Sequence, residues 1–508
     1  MARTGKRRPS KRRRSRRRRR LATRTRVIDV HPLRDLSRYP DPRAKPRPRF
    51  TVAPPAATPP RADPPPVAPQ EPGVYRGPFG RREAERLLWR AGFGPAPGQA
   101  EALAGLGIEN AVHSLTRPAG APRYSGPAPV DDSGNPIAPS DRFGHDLLQW
   151  LDRMVRGDQP LRERMALVWH DWFATSNATV GDQGRMLEQY ELLRSNWLGS
   201  FHTLLREVTR DPAMLVWLNG ISNRRGRPDE NYARELMELF TLGADRGAYT
   251  ETDVREMARS LTGFDSTYTF QTSRWDSGEK TVFGRRGRWN WEDACRLCVE
   301  HPLHASHLVA KLWAAFVPTA PSAATQAELE GLYRGSGYAV RPVVERILKH
   351  PDLYLGPSMV KPPMVFCAGL LRARGDTVRT TAWWYLCEAA GQRVFYPPNV
   401  AGWDESRWLD TSTLRGRWNL VAEALSDRYI PYSTSTYPIS ESPREAVSSA
   451  LAYWGTPAVT AESDAALLGY ATGVLPGGLP SYRQRPYRVL RQNALRQLVG
   501  VSPDAQVC

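Results

Sequence analysis

Helical periodicity recurs, segment after segment, from residue 82 to residue 499, and it leaves this chain few ways to fold. Apolar side chains return at helical spacing over 82–92, 98–116, 142–156, 160–176, 184–208, 211–219, 230–242, 251–262, 292–300, 303–316, 325–335, 339–350, 362–374, 380–390, 414–427, 443–453 and 485–499. Most of these segments are bounded by Gly, Pro or a Ser, Thr or Asp cap. In the first, Ala84, Leu87, Leu88 and Ala91 fall on one side. Only one stretch alternates: Thr267–Thr272, then the turn residues Asp276–Glu279, then Lys280–Phe283, a pattern that predicts a β-hairpin. No internal repeat interrupts the series. The expectation is a mainly α protein: one large helical domain over 76–508 with a small β-hairpin.

Ahead of that domain the composition changes. The first 20 residues hold 13 Lys and Arg and no acid, and 40–72 are crowded with proline. Such a segment buries too little apolar surface to offset its ordering entropy, so 1–75 is expected to be a disordered, Arg-rich then Pro-rich tail. Residues 1–50 hold 21 of the 71 Lys and Arg and 3 of the 52 Asp and Glu, so the remainder carries 50 basic and 49 acidic side chains. The net charge of +19 is thus a property of the tail. Residues 1–20 offer non-specific, salt-dependent contact with a polyanion, and the balanced body gives no general reason to bind one. No run reaches the roughly 18–20 apolar residues of a transmembrane helix. The Arg run at 12–20 is followed by Leu21-Ala22-Thr23-Arg24 rather than an apolar core, which reads as no signal peptide and a cytoplasmic location. Five cysteines are too few for a disulfide scaffold.

The stretch Asp229–Gly243 carries the densest chemistry. On a helix, Glu230, Asn231, Arg234, Glu235, Glu238 and Thr241 share one arc, with Tyr232, Ala233, Leu236, Leu239 and Phe240 opposite. Asp229 reads as the N-cap and Gly243 as the C-terminal stop. Glu230/Arg234 and Arg234/Glu238 are i,i+4 pairs, so Arg234 is expected to pair with one of them over a buried apolar face. The face suits either a carboxylate site for a cation or acid–base work, or an ion-paired docking surface.

Trp169–Ser176, Asp211–Leu215, Glu230–Gly243, Tyr249-Thr250, Asp253–Gly263, Lys311-Leu312-Trp313, Pro397–Trp403 and Trp408–Thr413 follow one another in an order and spacing that, from about residue 80 to residue 505, resembles the bacterial family called domain of unknown function 1800. The resemblance implies a helical protein without an assigned activity. It also implies a protein partner of phosphatase or sulfatase type, and many of the apparent relatives look exported. Where relatives often show Trp-His-Asn-His-Phe this chain has Trp169-His170-Asp171-Trp172-Phe173, and Trp275 stands where they show a second histidine.

Three further constellations invite chemistry. His170, in an aromatic-rich helix, is a candidate ligand or base if Glu230 or Glu235 reaches it from another helix. Cys295-x-x-Cys298-x-x-His301-x-x-His304-x-x-His307 has the ligand types of a zinc site, although Pro302 is expected to begin a new helix between the cysteines and the later histidines. The loop Tyr396–Thr413, with Trp403, Asp404, Glu405 and Trp408, could line a cleft. Phosphate-loop, dinucleotide, nucleophile-elbow and His-Glu-x-x-His signatures are absent, and no cofactor is indicated. These features favour an accessory or binding protein acting with a partner. The alternatives are a hydrolase using His170, Glu230, Arg234, Glu235 and Glu238, and a polyanion binder working through the tail.

Overall fold

The computed structural model describes residues 73–475 and 477–508. The expected tail lies outside these residues except at its end, where the boundary shifts. The Tyr75 amide donates to the Lys349 carbonyl at 2.8 Å, and its buried ring lies 4.7 Å from that of Tyr354. The Gly73 carbonyl accepts from Arg346 at 2.7 Å. An aromatic anchor thus ties residues 73–75 to the folded body.

Among the described residues there are 23 α-helices and one two-stranded sheet, so the chain is mainly α. Local chemistry sets many of the starts. Asn290 accepts from the Glu292 and Asp293 amides while the Asp293 carboxylate takes the Asn290 amide, a closed capping box. Thr250 and Asp253 repeat it at Glu251–Ser260. Asp410 caps Thr411–Leu425 through the Ser412 and Thr413 amides, both at 2.9 Å.

The hairpin forms with a different partner from the one expected. Lys280–Val282 pairs forward with Arg285–Gly287, antiparallel, with Val282 opposite Arg285. The two residues between them, Phe283 and Gly284, have φ of 50° and 73°, the left-handed pair that a tight two-residue turn requires. Thr267–Thr272 instead curls on itself. Tyr268 sits at φ 61°, and the Asp265 carboxylate takes the Thr267 amide at 2.9 Å and the Thr269 amide at 3.2 Å.

Two apolar clusters fill the interior. One gathers Leu87, Phe201, Phe240, Leu308 and Val344 with their neighbours. The other gathers Trp150, Phe366, Phe395, Leu420 and Leu495 with theirs. The helix Pro160–Trp172 serves both: Leu161, Met165, Trp169 and Trp172 belong to the first cluster, Ala166 and Leu167 to the second. A helix enclosed this way should be apolar nearly all round, so each polar side chain on it needs a reason. No helix among the described residues is long and apolar enough to cross a membrane.

Candidate functional site: a charged cavity between the two cores

The motif stretch is only half an α-helix. Asn231–Glu235 is α-helical and Leu236–Leu242 is a π-helix, closed by Gly243 at φ 87°. The N-cap is Glu230 rather than Asp229, whose carboxylate takes the Asn231 amide at 3.0 Å. Arg234 pairs chiefly with Glu251, through two 2.8 Å bonds, and reaches Glu230 only at 3.5 Å. Glu238 accepts instead from the Tyr249 hydroxyl at 3.3 Å. Arg234 keeps 35% of its side chain exposed and Glu251 65%, so this ion pair lies at the surface. Leu236 and Phe240 are buried behind it, and Leu239 is half-buried. Glu235 is half-buried too, its carboxyl raised by desolvation and then by Glu238.

His170 does not join these carboxylates. It is buried, its Nε2 accepts the Phe395 amide at 2.9 Å, and Trp150, Phe395 and Trp403 surround its ring. Burial pushes its pKa down to about 3, so the ring is neutral and its Nε2 is taken by the Phe395 amide.

The Cys/His string is likewise dispersed. Cys295 and Cys298 are buried thiols whose pKa burial pushes upward, and Cys295 lies 3.2 Å from the Thr209 hydroxyl. His301 Nδ1 accepts the Leu303 amide at 3.2 Å, and the next helix begins at His304 rather than at Pro302. His304 donates from Nδ1 to the Thr241 carbonyl at 3.0 Å, so its neutral ring receives the Tyr333 hydroxyl on Nε2 at 2.9 Å. Among the described residues, no three His, Cys, Asp or Glu side chains converge as a metal site would need.

The π-helix explains why these histidines face the motif. A π-turn takes its carbonyls out of the ordinary i to i+4 ladder and offers them sideways. The Leu239 carbonyl accepts from His307 Nε2 at 3.2 Å and faces Lys311 Nζ at 3.5 Å. The Phe240 carbonyl accepts the Trp172 indole N–H at 3.0 Å, and Thr241 Oγ donates back to the Leu236 carbonyl at 2.5 Å. The densest motif of the chain therefore grips two residues, Trp172 and Lys311, that line a cavity of about 220 Å³.

Three segments bring the cavity's charged side chains, and Met359, Pro362 and Gln392 add to the lining. The helix Pro160–Trp172 contributes Arg164, Leu167, Val168, Asp171 and Trp172, an i, i+3, i+4, i+7, i+8 stripe along one face. The helix His304–Ala314 brings Lys311, and the loop before Thr411 brings Glu405 and Trp408. Arg164 is 5% exposed; its Nη2 donates to the Ala315 carbonyl at 3.2 Å and its Nε has no partner. Lys311 Nζ stands 4.2 Å from the centre of the Trp172 ring. Asp171 accepts the Trp403 amide at 3.0 Å, which hooks the loop onto the helix. A β-carbon on Gly402, at φ 91°, would lie 2.2 Å from that same carboxylate oxygen, so only glycine lets the loop press so close.

Four ionisable side chains thus face one small space, and no ion pair forms among them within 4.0 Å. Other enclosed cations are held by a carboxylate, as in Arg194–Glu163 at 2.5 Å, Arg156–Asp152 at 2.6 Å and Arg491–Glu441 at 2.8 Å, or by several hydrogen bonds, as Arg372 and Arg417 are by carbonyls. The consequences show in the titration of the four. Desolvation pushes Lys311 down to about 8 against the upward pull of Asp171, and it also lowers Arg164. Desolvation raises Asp171 against the Trp403 amide, Lys311 and Arg164. Glu405 stands at the rim with much of its surface exposed; its carboxyl is raised first by the protein crowding the mouth, then by Asp171, against Arg164.

A sequence profile described as "Protein of unknown function (DUF1800)" matches residues 86–506. The chain belongs to the DUF1800 family. No curated protein and no solved structure matches it. Within this DUF1800 chain five of the eight stretches that carried the resemblance meet around the cavity: Asp171 and Trp172 come from one, Lys311 from another, Trp403 (bonded to Asp171) and Trp408 from the last two, and the π-helix holds them. Arg164 lay outside all of these stretches. The signal that could have found it is the opposite-charge pair Arg164 and Asp171, placed at i,i+7 on one face of the same helix.

Proposed function

We propose that this chain is a binding protein for a small polar ligand, working through the cavity of Arg164, Asp171, Lys311 and Glu405. The observation that carries the reading is the separation of charge: two cations and two carboxyls from three segments share a cavity and do not pair. Arg164 is buried, Lys311 and Asp171 are half-buried and Glu405 stands exposed at the rim; an unpaired charge held away from water costs stability, and a fold retains it where a ligand completes the pairing. The experiment is a melting curve of Lys311→Met. Removing a desolvated ammonium from a site that serves binding should leave the melting temperature unchanged or raised. A loss of several degrees would make Lys311 a structural side chain and sink the reading.

Action alongside a second protein, which the family resemblance implied, is part of this proposal. Leu414 and Trp418, i,i+4 on the helix that follows the site loop, are 45% and 46% exposed and give such a partner an apolar ridge. Leu414→Asp with Trp418→Asp should abolish co-purification with a phosphatase- or sulfatase-like partner; unchanged recovery would remove the partner from the reading. Hydrolysis is the second reading, now at this cavity. Two raised carboxyls beside a lowered lysine are what general acid–base work asks for.

A further inference from the structure

The proposed cavity also constrains what fills it. At about 220 Å³ it is smaller than the roughly 300 Å³ at which pockets for drug-sized ligands begin, so the occupant is a compact molecule. Its donors are underused: Arg164 makes one hydrogen bond to protein, and the nearest acceptor to Lys311 Nζ is a carbonyl at 3.5 Å. Both seek an anionic acceptor, and the guanidinium fork fits a carboxylate. Its acceptors are underused as well. One Asp171 oxygen holds the Trp403 amide, while its other oxygen and both of Glu405 have no protein donor. Between these charged ends, Leu167, Val168, Pro362 and Trp408 supply a wall for carbon.

A simple anion would satisfy the cations and leave the half-buried Asp171 carboxyl, and Glu405 at the mouth, without a cationic partner. A hydroxylated acid would give those carboxyls only neutral donors. A molecule with both a carboxylate and an ammonium matches every unpaired charge at once. Resting on the binding reading above, we infer that the ligand is a compact zwitterion of the free α-amino acid type. Arg164 and Lys311 take its carboxylate, Asp171 and Glu405 take its ammonium, and its side chain lies on the apolar wall.

Titration calorimetry on the full chain tests this with L-valine, N-acetyl-L-valine, L-valinamide and glucuronate as probes. Valine should bind at least about tenfold more tightly than either blocked derivative, a gap of about 1.4 kcal/mol. Asp171→Asn, which keeps an acceptor for the Trp403 amide, should erase the preference over N-acetyl-valine while the preference over valinamide stays. Arg164→Gln should do the reverse. Melting curves of both variants establish that they fold; if either fails to, the wild-type ranking alone decides. Equal binding of valine and N-acetyl-valine would overturn the ammonium assignment. Binding of glucuronate without valine would overturn the zwitterion and leave the cavity reading standing. Absence of binding by all four, with a destabilised Lys311→Met, would overturn both.

Discussion

Lys311 shows how a single side chain can report on the whole site. Its ammonium loses water to the cavity walls, and neither carboxyl comes close enough to replace that solvation. With a folded pKa of about 8 and an ordinary value of 10.5, the native state binds fewer protons than the unfolded chain between those pH values. Stability should therefore rise with pH from about 8 to 10.5, relieving a strain of about 3 kcal/mol that is fully present at neutral pH. Subtracting the melting temperature profile of Lys311→Met from that of the wild type isolates this slope; superimposable profiles would show that Lys311 titrates normally. Arg234 is the opposite case. Its partner Glu251 is solvated, so Arg234→Ala should leave the melting temperature nearly unchanged. Spacing on one helix named Glu230 and Glu238 as partners, and the winning carboxylate came from the next helix, which no single-helix pattern contains.

At the scale of elements, the π-helix is where local reading and tertiary structure part. The sequence of Leu236–Leu242 has good α-helical periodicity, and the wider turn shows only in which carbonyls reach Trp172, His304, His307 and Lys311. The Thr241 hydroxyl helps hold that turn by bonding the Leu236 carbonyl. Thr241→Val keeps the shape and removes the bond, so it should lower stability by about 1 kcal/mol in denaturant unfolding and quicken amide exchange through residues 236–242. Unaltered exchange there would mean that packing alone sets the π geometry. The helices themselves were legible because caps and apolar spacing are local properties, and the hairpin was half legible for the same reason. Lys280–Val282 reads as a strand, but its partner depended on Phe283 and Gly284 accepting left-handed angles. The cavity was the least legible. Arg164 and Asp171 look like the wet side of an amphipathic helix until a second core is seen to cover that side.

Across the molecule, the excess charge and the family region occupy different parts of the chain. The tail carries nearly all of the excess charge and the matched family region begins at residue 86. Deleting residues 1–72 should abolish heparin retention, which for the full chain should fall steeply as salt rises, and should leave the melting temperature of the body unchanged. Salt-sensitive retention that survives the deletion would place a polyanion surface on the body. The helix Pro160–Trp172 carries a different consequence, since it gives apolar faces to both cores. The C-terminal third of the chain supplies much of the second core but leaves Trp150, Ala166, Leu167 and Tyr190 behind in the N-terminal part. A break at the exposed Gly356–Ser358 turn therefore divides a covalent chain without dividing a folding unit. Expressed alone, residues 358–508 should stay unfolded and be captured by chaperones. Expressed together with residues 73–357, they should reassemble into a nicked, native complex that survives size-exclusion chromatography.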